Sequence, residues 1–383
     1  MALLIVGISV RSAAQSAARS GYRPIALDAF GDIDLRSCCT ALSLKDEFAD
    51  LFPWVANTTL RLYLCTREIE FDEVVYASGF ENHPELVEGW ERSGKTVLGN
   101  SSEVLRTIRN WEIFYDFLDS KGIPHPETLT LPKARDILKL DPQEASSLVV
   151  KPYKSGGGHA MRFVSELISN PRLLNGYTDR VLLQRFVPGT PGSISFVSGP
   201  RCFKPLNTTR QLIGLDGSPF RYLGNVAPSD FPEKVVSQAT RSATRVAEEF
   251  GLVGSNGIDF VVSDGIVYIT EVNPRLQGSL EVVEASSGVS VFDCHVKACR
   301  GVDLPPLRPS RGFWGRRVAF APFDVTVPRL GFSFVRDIPR PGSRVKEGAP
   351  ICTVTAHSSD IGRCVGLLEA REKRVISQIL GRA

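Results

Sequence analysis

The sequence predicts a mixed α/β (α+β) protein of two or three domains. Its 383 residues are 43% hydrophobic and 23% charged, which is ordinary for folded proteins and provides enough apolar material for a large core. In the first hundred residues, apolar strands alternate with helix-forming segments, a pattern typical of a parallel sheet; the strands are expected at 2–6, 23–28, 73–77 and 95–99. Further along, two apolar strands around an Asp-Gly turn at 257–275 predict an antiparallel hairpin.

Composition excludes several classes of protein. The net charge of +3 is too small to indicate a nucleic-acid or anionic-membrane partner. No apolar run reaches transmembrane length, and residues 1–7 lack a basic leader and a cleavage site, so we expect a buried first strand. The eight cysteines form no CxxC pair, which favours reduced thiols and a cytoplasmic location.

The chain divides into three predicted regions. An N-terminal α/β domain spans 1–100, and a central domain of 101–303 includes a lid subdomain at about 127–187. A Pro/Arg-rich connection follows at 304–309. A small β-rich module with a terminal helix is then expected at 310–383.

Three oxygen-bearing side chains are expected to meet at one end of the predicted hairpin. Glu271 and Asn273 share a strand face because side chains alternate with a period of two. Asp259 joins them if the loop holds an odd number of residues, and the three-residue loop 264–266 would provide this. Such oxygen clusters suit Mg²⁺, and Arg275 adds a cation beside them. The alternative is a solvated polar hairpin face.

Two further segments carry weaker signals. The strand 148–151 ends on Lys151 and enters a glycine-rich loop, Ser155-Gly156-Gly157-Gly158, whose amides and lysine charge suit phosphate. No Gly-Lys-Ser/Thr follows, so this is not a P-loop, and a mobile turn is an equal alternative. The strand 181–187 leads into another loop whose backbone could hydrogen-bond an adenine edge, although alone it indicates only a core strand.

Together and in this order, the three segments resemble the ATP-grasp superfamily of carboxylate–amine ligases over roughly residues 100–300. The resemblance implies an ATP-grasp fold behind an N-terminal Rossmann-like domain. It also implies ATP and Mg²⁺ as cofactors, with Mn²⁺ as an alternative, and small-molecule acid and amine substrates. The metal ligands would be Asp259, Glu271 and Asn273. The nucleotide would contact Lys151, Ser155, Gly156, Gly157 and Gly158, and its adenine would contact the hinge Gln184, Arg185, Phe186 and Val187.

Cations near the phosphates are predicted with alternatives. The family usually has an earlier lysine, which Arg109, or Arg106, would replace here. Arg275 and Arg210 are candidate catalytic cations, Arg210 with a surface position as its alternative. The family's ribose-binding acid is absent after the hinge, where 190–193 reads Thr-Pro-Gly-Ser, so the strictness for ATP stays open.

The sheet end of the N-terminal domain provides substrate candidates. Ser9 and Arg11 follow the first strand, where parallel sheets bind ligands. For Arg11, capture of an anionic substrate and a structural role are equally supported. The oligomeric state stays open, a homodimer being the most common form of self-association.

The chain also resembles a narrower group that includes tyramine–glutamate ligases of methanofuran assembly. The similar segments are 7–12, 26–34 and 338–354. This resemblance implies γ-glutamyl amide formation in the biosynthesis of a one-carbon carrier. Two other hypotheses remain: another ATP-grasp reaction such as carboxylation or kinase-like transfer, and nucleotide binding without turnover.

Overall fold

The computed structural model describes residues 2–154, 156–177, 180–215 and 218–381. Its N-terminal part is a five-stranded parallel sheet in the order β3-β2-β1-β4-β5, with helices on both faces. The strands are β1 (Leu3–Val6), β2 (Pro24–Asp28), β3 (Thr40–Ser43), β4 (Glu73–Tyr76) and β5 (Thr96–Val97). The helices are α1 (Arg11–Arg19), α2 (Ile33–Arg36), α3 (Thr58–Cys65) and α4 (Pro84–Arg92). The predicted strand–helix alternation is therefore present.

Two helices connect this domain to the rest of the molecule. They are α5 (Ser102–Ile108) and α6 (Trp111–Ser120). Asn110 divides them because its side chain accepts a hydrogen bond from the backbone N–H of Ile113 and so caps the second helix. This break puts Arg109 at the junction between the two helices.

The lid is a separate four-stranded sheet in the order β6-β9-β7-β8. Its elements are β6 (Thr128–Leu131), α7 (Pro142–Ala145), β7 (Leu148–Pro152), β8 (Arg162–Phe163), α8 (Val164–Ser169) and β9 (Val181–Arg185). All its strand pairs are antiparallel. Lys151 lies near the end of β7, and the hinge begins at the end of β9.

The central sheet has eight strands in the order β14-β13-β10-β11-β12-β15-β19-β17. Its central-domain elements are β10 (Thr190–Gly199), β11 (Cys202–Leu215), β12 (Ser218–Ala227), α9 (Glu233–Glu249), β13 (Gly254–Ser263), β14 (Ile266–Asn273), α10 (Leu280–Ser287) and α11 (Val291–Cys299). Buried residues of α9, among them Val235, Ala239 and Val246, recur on one helical face and pack against apolar residues of the sheet.

The C-terminal region continues this sheet. It contains β15 (Phe313–Phe320), β16 (Val325–Thr326), β17 (Val335–Arg336), β18 (Arg344–Val345), β19 (Pro350–Ser358) and α12 (Ile361–Ile379). Because β15 pairs with β12, three strands of the predicted β-rich module extend the central sheet. The helix α12 covers these strands, and Leu368 and Cys364 approach β15 at Gly315, which has no side chain to exclude them.

Candidate active site

A β-bulge brings the three predicted oxygen ligands to one face. The loop between β13 and β14 has two residues, Asp264 and Gly265, both at positive φ, because Ser263 pairs with Ile266. The predicted three-residue loop is therefore wrong. The register shifts between Asp259 and Phe260, so that Asp259 lies opposite Glu271. The extra residue in β14 has the same effect on strand parity as an odd loop.

Glu271 is the centre of the cationic contacts. Lys151 Nζ lies 2.6 Å from its Oε2 and Arg109 Nη1 lies 3.1 Å from its Oε1. Burial would raise the pKa of Glu271, but Lys151 and Arg109 together lower its pKa below the ordinary value. Arg106 pairs with Glu88 instead. Of the two arginines considered for the family's earlier lysine, Arg109 is thus the one that reaches the site.

Among the described residues, the hydrogen-bond partners of Asp259 are neutral amides and not cations. Its two oxygens accept hydrogen bonds from the amides of Asn273 and Gln211, both at 2.9 Å. Burial, followed by the negative charge of Glu271, raises the pKa of Asp259 to about 6. A divalent cation between the two carboxylates would relieve this repulsion, so Asp259, Glu271 and Asn273 fit a Mg²⁺ site. This set contains two carboxylates and one amide. Within the described ranges, no group of three or more His, Cys, Asp or Glu side chains is arranged to hold a metal ion.

The glycine-rich loop rests on the central sheet. The backbone carbonyl of Gly157 accepts a hydrogen bond from the Tyr222 N–H at 3.0 Å. A Cβ on Gly158, whose φ is +68°, would overlap the carbonyl oxygen of Phe220. Gly157 and Gly158 both line the cavity, so the loop is closed over it. Gly156 lies in the same loop, whereas Ser155 lies outside the described residues.

The hinge lines the same cavity through all four predicted residues. Gln184 is buried and its amide donates to the Tyr115 hydroxyl at 2.5 Å. The backbone N–H groups of Arg185 and Phe186 donate to carbonyls of Glu127 and Ser147. Among the described residues, the Val187 N–H has no such acceptor, so it is the hinge donor left for a ligand.

The predicted catalytic arginines differ in position. Arg275 lines the cavity, where its Nε is 2.7 Å from Glu81 and its Nη2 donates to Asn273 Oδ1 at 3.1 Å. Arg210 is not among the described residues that line the cavity, and its Nη1 is 2.9 Å from Asp230 on the surface. The surface alternative for Arg210 is therefore the one observed, because side chains alternate along β11 and the neighbour, Gln211, faces Asp259.

The N-terminal candidates belong to the same cavity. Ser9 and Arg11 both line it. Arg11 is almost completely buried and pairs with Glu281 at 2.7 Å and Asp337 at 2.9 Å. Two carboxylates thus already occupy the guanidinium, which favours the structural alternative for Arg11 over anion capture.

Gln277 and Arg316 are among the cavity residues that sequence reasoning missed. Gln277 Oε1 accepts a hydrogen bond from Ser195 at 2.5 Å, and its amide lies over Gly257, where a Cβ would overlap it. Arg316 lies 3.2 Å from Glu281 and comes from the C-terminal region. The position of Gln277, two residues after Arg275, is a usable sequence signal. No local pattern marks Arg316.

These elements enclose one cavity of about 510 Å³ between the lid, the central sheet and the N-terminal domain. A closed glycine loop, a buried lysine and a carboxylate pair would suit a metal-bound polyphosphate nucleotide. Residues 110–279 match the model of the ATP-grasp domain family. The matched segment holds the lid, the hinge and the three candidate metal ligands.

Similar sequences agree with this assignment. The chain is 24% identical over 363 residues to an uncharacterized protein of Methanocaldococcus jannaschii, with 92% of this chain and 87% of that protein covered. It is 24% identical over 283 residues to the arginine-specific large chain of carbamoyl phosphate synthase from Bacillus subtilis. That match covers 70% of this chain but 26% of the relative, so the chain spans about a quarter of the synthase's length.

Solved structures share the fold. The biotin carboxylase domain of the Hydrogenobacter thermophilus 2-oxoglutarate carboxylase, in complex with MgADP and bicarbonate, superposes with a TM-score of 0.75 at 15% identity, covering 96% of this chain and 88% of that one. N5-carboxyaminoimidazole ribonucleotide synthetase from Thermus thermophilus superposes with a TM-score of 0.70 at 18% identity, covering 97% of this chain and 98% of that one. The predicted ATP-grasp fold is thus confirmed. In the described part of the chain, no helix is long and apolar enough to cross a membrane.

Proposed function

We propose that this chain is an ATP-dependent carboxylate–amine ligase that joins two small molecules through an amide. The observation that carries the proposal is the grouping of Lys151, Arg109 and Arg275 around Asp259, Glu271 and Asn273 in one closed cavity. Such an arrangement of cations and oxygen ligands acts on a phosphoryl group by positioning and charge neutralisation.

Each group in the site has a role in this proposal. Asp259, Glu271 and Asn273 would hold Mg²⁺, with Mn²⁺ as an alternative, and the bound ion would neutralise charge on the triphosphate. Lys151 and Arg109 keep Glu271 ionised and add positive charge beside the phosphates. The closed loop at Gly157 and Gly158 excludes water from the reacting groups.

The proposed reaction has two steps. A carboxylate oxygen of the acid attacks the γ-phosphorus and ADP departs, which leaves an acyl phosphate. The amine nitrogen then attacks the acyl carbon, phosphate leaves and the nitrogen loses a proton. Arg275, Gln277 and Arg316 line the cavity and offer donors for the oxyanion that forms in the second step.

The more specific parts of the proposal rest on the sequence. Resemblance to tyramine–glutamate ligases supports γ-glutamyl amide formation in one-carbon-carrier biosynthesis. All eight cysteines are free thiols, which supports a cytoplasmic location. A homodimer is our proposal for the assembly, supported by the dimer described for the 2-oxoglutarate carboxylase domain.

A carboxylase-type reaction is the second candidate. It is favoured by structural relatives that include a biotin carboxylase from Campylobacter jejuni, with a TM-score of 0.73 at 15% identity. ADP release that depends on bicarbonate supports this candidate, whereas release that depends on an amine supports the ligase. Nucleotide binding without either release identifies a non-catalytic protein. Screening pairs of acids and amines for ADP and phosphate release distinguishes the three.

The first prediction concerns Glu271. Glu271→Gln removes the charge that faces Lys151 and Arg109, so we expect at least a 100-fold loss of kcat. ADP release measures it, and Glu248→Gln is the matched control because Glu248 is exposed on α9. Near-normal turnover of Glu271→Gln would refute the proposed metal site.

A further inference from the structure

A second cavity lies on the other side of Arg11. Its volume is about 450 Å³, within the range of small-molecule sites. Arg11 and Ser12 line both this cavity and the active-site cavity. None of the chemistry proposed above uses the second cavity.

The second cavity carries an excess of positive charge. Four guanidinium groups line it, from Arg11, Arg19, Arg336 and Arg371, against the single carboxylate of Glu281. Arg11 and Arg19 have carboxylate partners, Glu281 and Glu284 respectively. In the described part of the chain, Arg336 and Arg371 have none. Like charges enclosed in this way favour an anion.

Arg336 and Arg371 are held in place by backbone oxygens. Arg336 Nη1 donates to the carbonyls of Ser333 and Val335, both at 2.8 Å. Arg371 Nη1 donates to the carbonyl of Thr355, and its guanidinium lies 4.8 Å from the ring centre of Phe334. Each group thus uses one terminal nitrogen for anchoring and keeps its other donors. Such fixed planar donors match carboxylate or phosphate oxygens.

An aromatic wall completes the cavity. Trp314 and His357 are directly opposite on β15 and β19, with ring centroids 4.1 Å apart and planes inclined by 33°. The indole N–H of Trp314 donates to Ser310 Oγ at 2.8 Å, which fixes its orientation. The two rings stack on each other, so a flat ligand ring can pack against the outer face of this stacked pair.

We propose that this cavity binds a planar organic anion. Its ring packs on Trp314 and His357, and its carboxylate or phosphate oxygens bind Arg336 and Arg371. The combination of this stacked ring pair with two anchored, carboxylate-free guanidinium groups carries this proposal. The site is separate from the nucleotide cavity, so the proposal does not depend on the ligase activity.

Binding of benzene-1,3,5-tricarboxylate tests the proposal. We expect saturable binding by calorimetry, quenching of tryptophan fluorescence, and a shift of the Trp314 indole N–H in the NMR spectrum. Trp314→Phe should remove the fluorescence change, which locates the probe. Arg336→Gln and Arg371→Gln should each weaken binding about tenfold, the usual effect of losing one charged hydrogen bond. Equal affinity in all variants would overturn the proposal.

Two binding controls and one sedimentation measurement distinguish an anion site from an apolar patch and from a contact between two copies of the chain. Arg363→Gln removes the same charge from an exposed position of α12 outside the cavity and should leave binding unchanged. The neutral benzene-1,3,5-tricarboxamide should not bind. Binding of the neutral ring with equal affinity would indicate the apolar patch. A change in sedimentation of Arg371→Gln without a change in probe binding would indicate the contact between copies, and either result would overturn the proposal.

Discussion

At the residue scale, Gly257 determines where the Gln277 amide lies. A Cβ at position 257 would overlap that amide, which is a mobile side-chain end and can move away. We therefore expect Gly257→Ala to keep the fold but displace Gln277 and lower kcat/KM about tenfold, the effect of one lost hydrogen bond. Steady-state kinetics of Gly257→Ala, Gln277→Ala and the double variant measure this. Additive losses in the double variant would show that Gly257 does not act through Gln277.

The grouping of the three proposed metal ligands could be predicted from the sequence because the pattern that places them together is local. Asp259, Glu271 and Asn273 are unusual in strands, and the period of two places them together. Whether a bulge or an odd loop brings Asp259 beside Glu271 could not be predicted, since a bulge in β14 and an odd loop both place Asp259 on the same strand face. The position of Arg210 stayed open for a related reason: shifting by one residue changes the face of a strand, and no local feature fixed the face of β11.

At the element scale, the glycine-rich loop closes against β12. Gly158 has a φ of +68° and its missing Cβ allows contact with the Phe220 carbonyl. Gly158→Ala should hold the loop open and raise the KM for ATP about tenfold, because both backbone strain and overlap oppose closure. Gly156→Ala is the matched control, since its Cβ would meet no atom within 4 Å. Equal KM values for both variants would show that loop closure does not assist nucleotide binding.

A buried histidine makes the attachment of α11 dependent on pH. His295 Nδ1 accepts the Ser255 N–H at 2.8 Å, and burial lowers the pKa of His295 from 6.5 to about 4. The unfolded chain therefore binds a proton at His295 more readily than the folded chain does. The contribution of neutral His295 to the stability of the fold is complete above pH 6.5. It decreases as the pH falls toward 4, by about 3 kcal/mol in total.

Denaturant unfolding between pH 4 and 7 measures this contribution. The difference in the free energy of unfolding between wild type and His295→Gln should depend on pH in this window. His159→Gln, at an exposed position in the glycine-rich loop, is the control. A wild type and a His295→Gln variant with parallel pH profiles would show that His295 does not carry the effect.

At the scale of the whole molecule, the chain order predicted the sequence of domains but not how the last one joins. The alternation of strands and helices identified the N-terminal sheet because it is a local pattern. The pairing of β15 with β12 is a contact between distant segments, so it leaves no periodic signal. Arg316 reaches the cavity only through that pairing, and for this reason it could not be found in the sequence.

Arg11 connects three regions of the molecule. From α1 it pairs with Glu281 of α10 and with Asp337, which follows β17. Burial would raise the pKa of Asp337, but Arg11 and Arg316 lower its pKa far below the ordinary value, so the carboxylate stays ionised. Arg11→Met would leave the carboxylates of Glu281 and Asp337 buried with less positive charge beside them. We expect a loss of about 3–5 kcal/mol in the free energy of unfolding, as for other broken buried pairs.

Arg19→Met is the matched control for this prediction. Arg19 lies on the same helix and pairs with Glu284, but 60% of its side chain is exposed, so its removal should cost less than about 1 kcal/mol. Chemical denaturation of both variants gives the comparison. Because Arg11 holds all three regions together, its variant should also unfold over a broader denaturant range as the parts separate. Equal destabilisation by the two substitutions would mean that the buried network does not determine how the regions assemble.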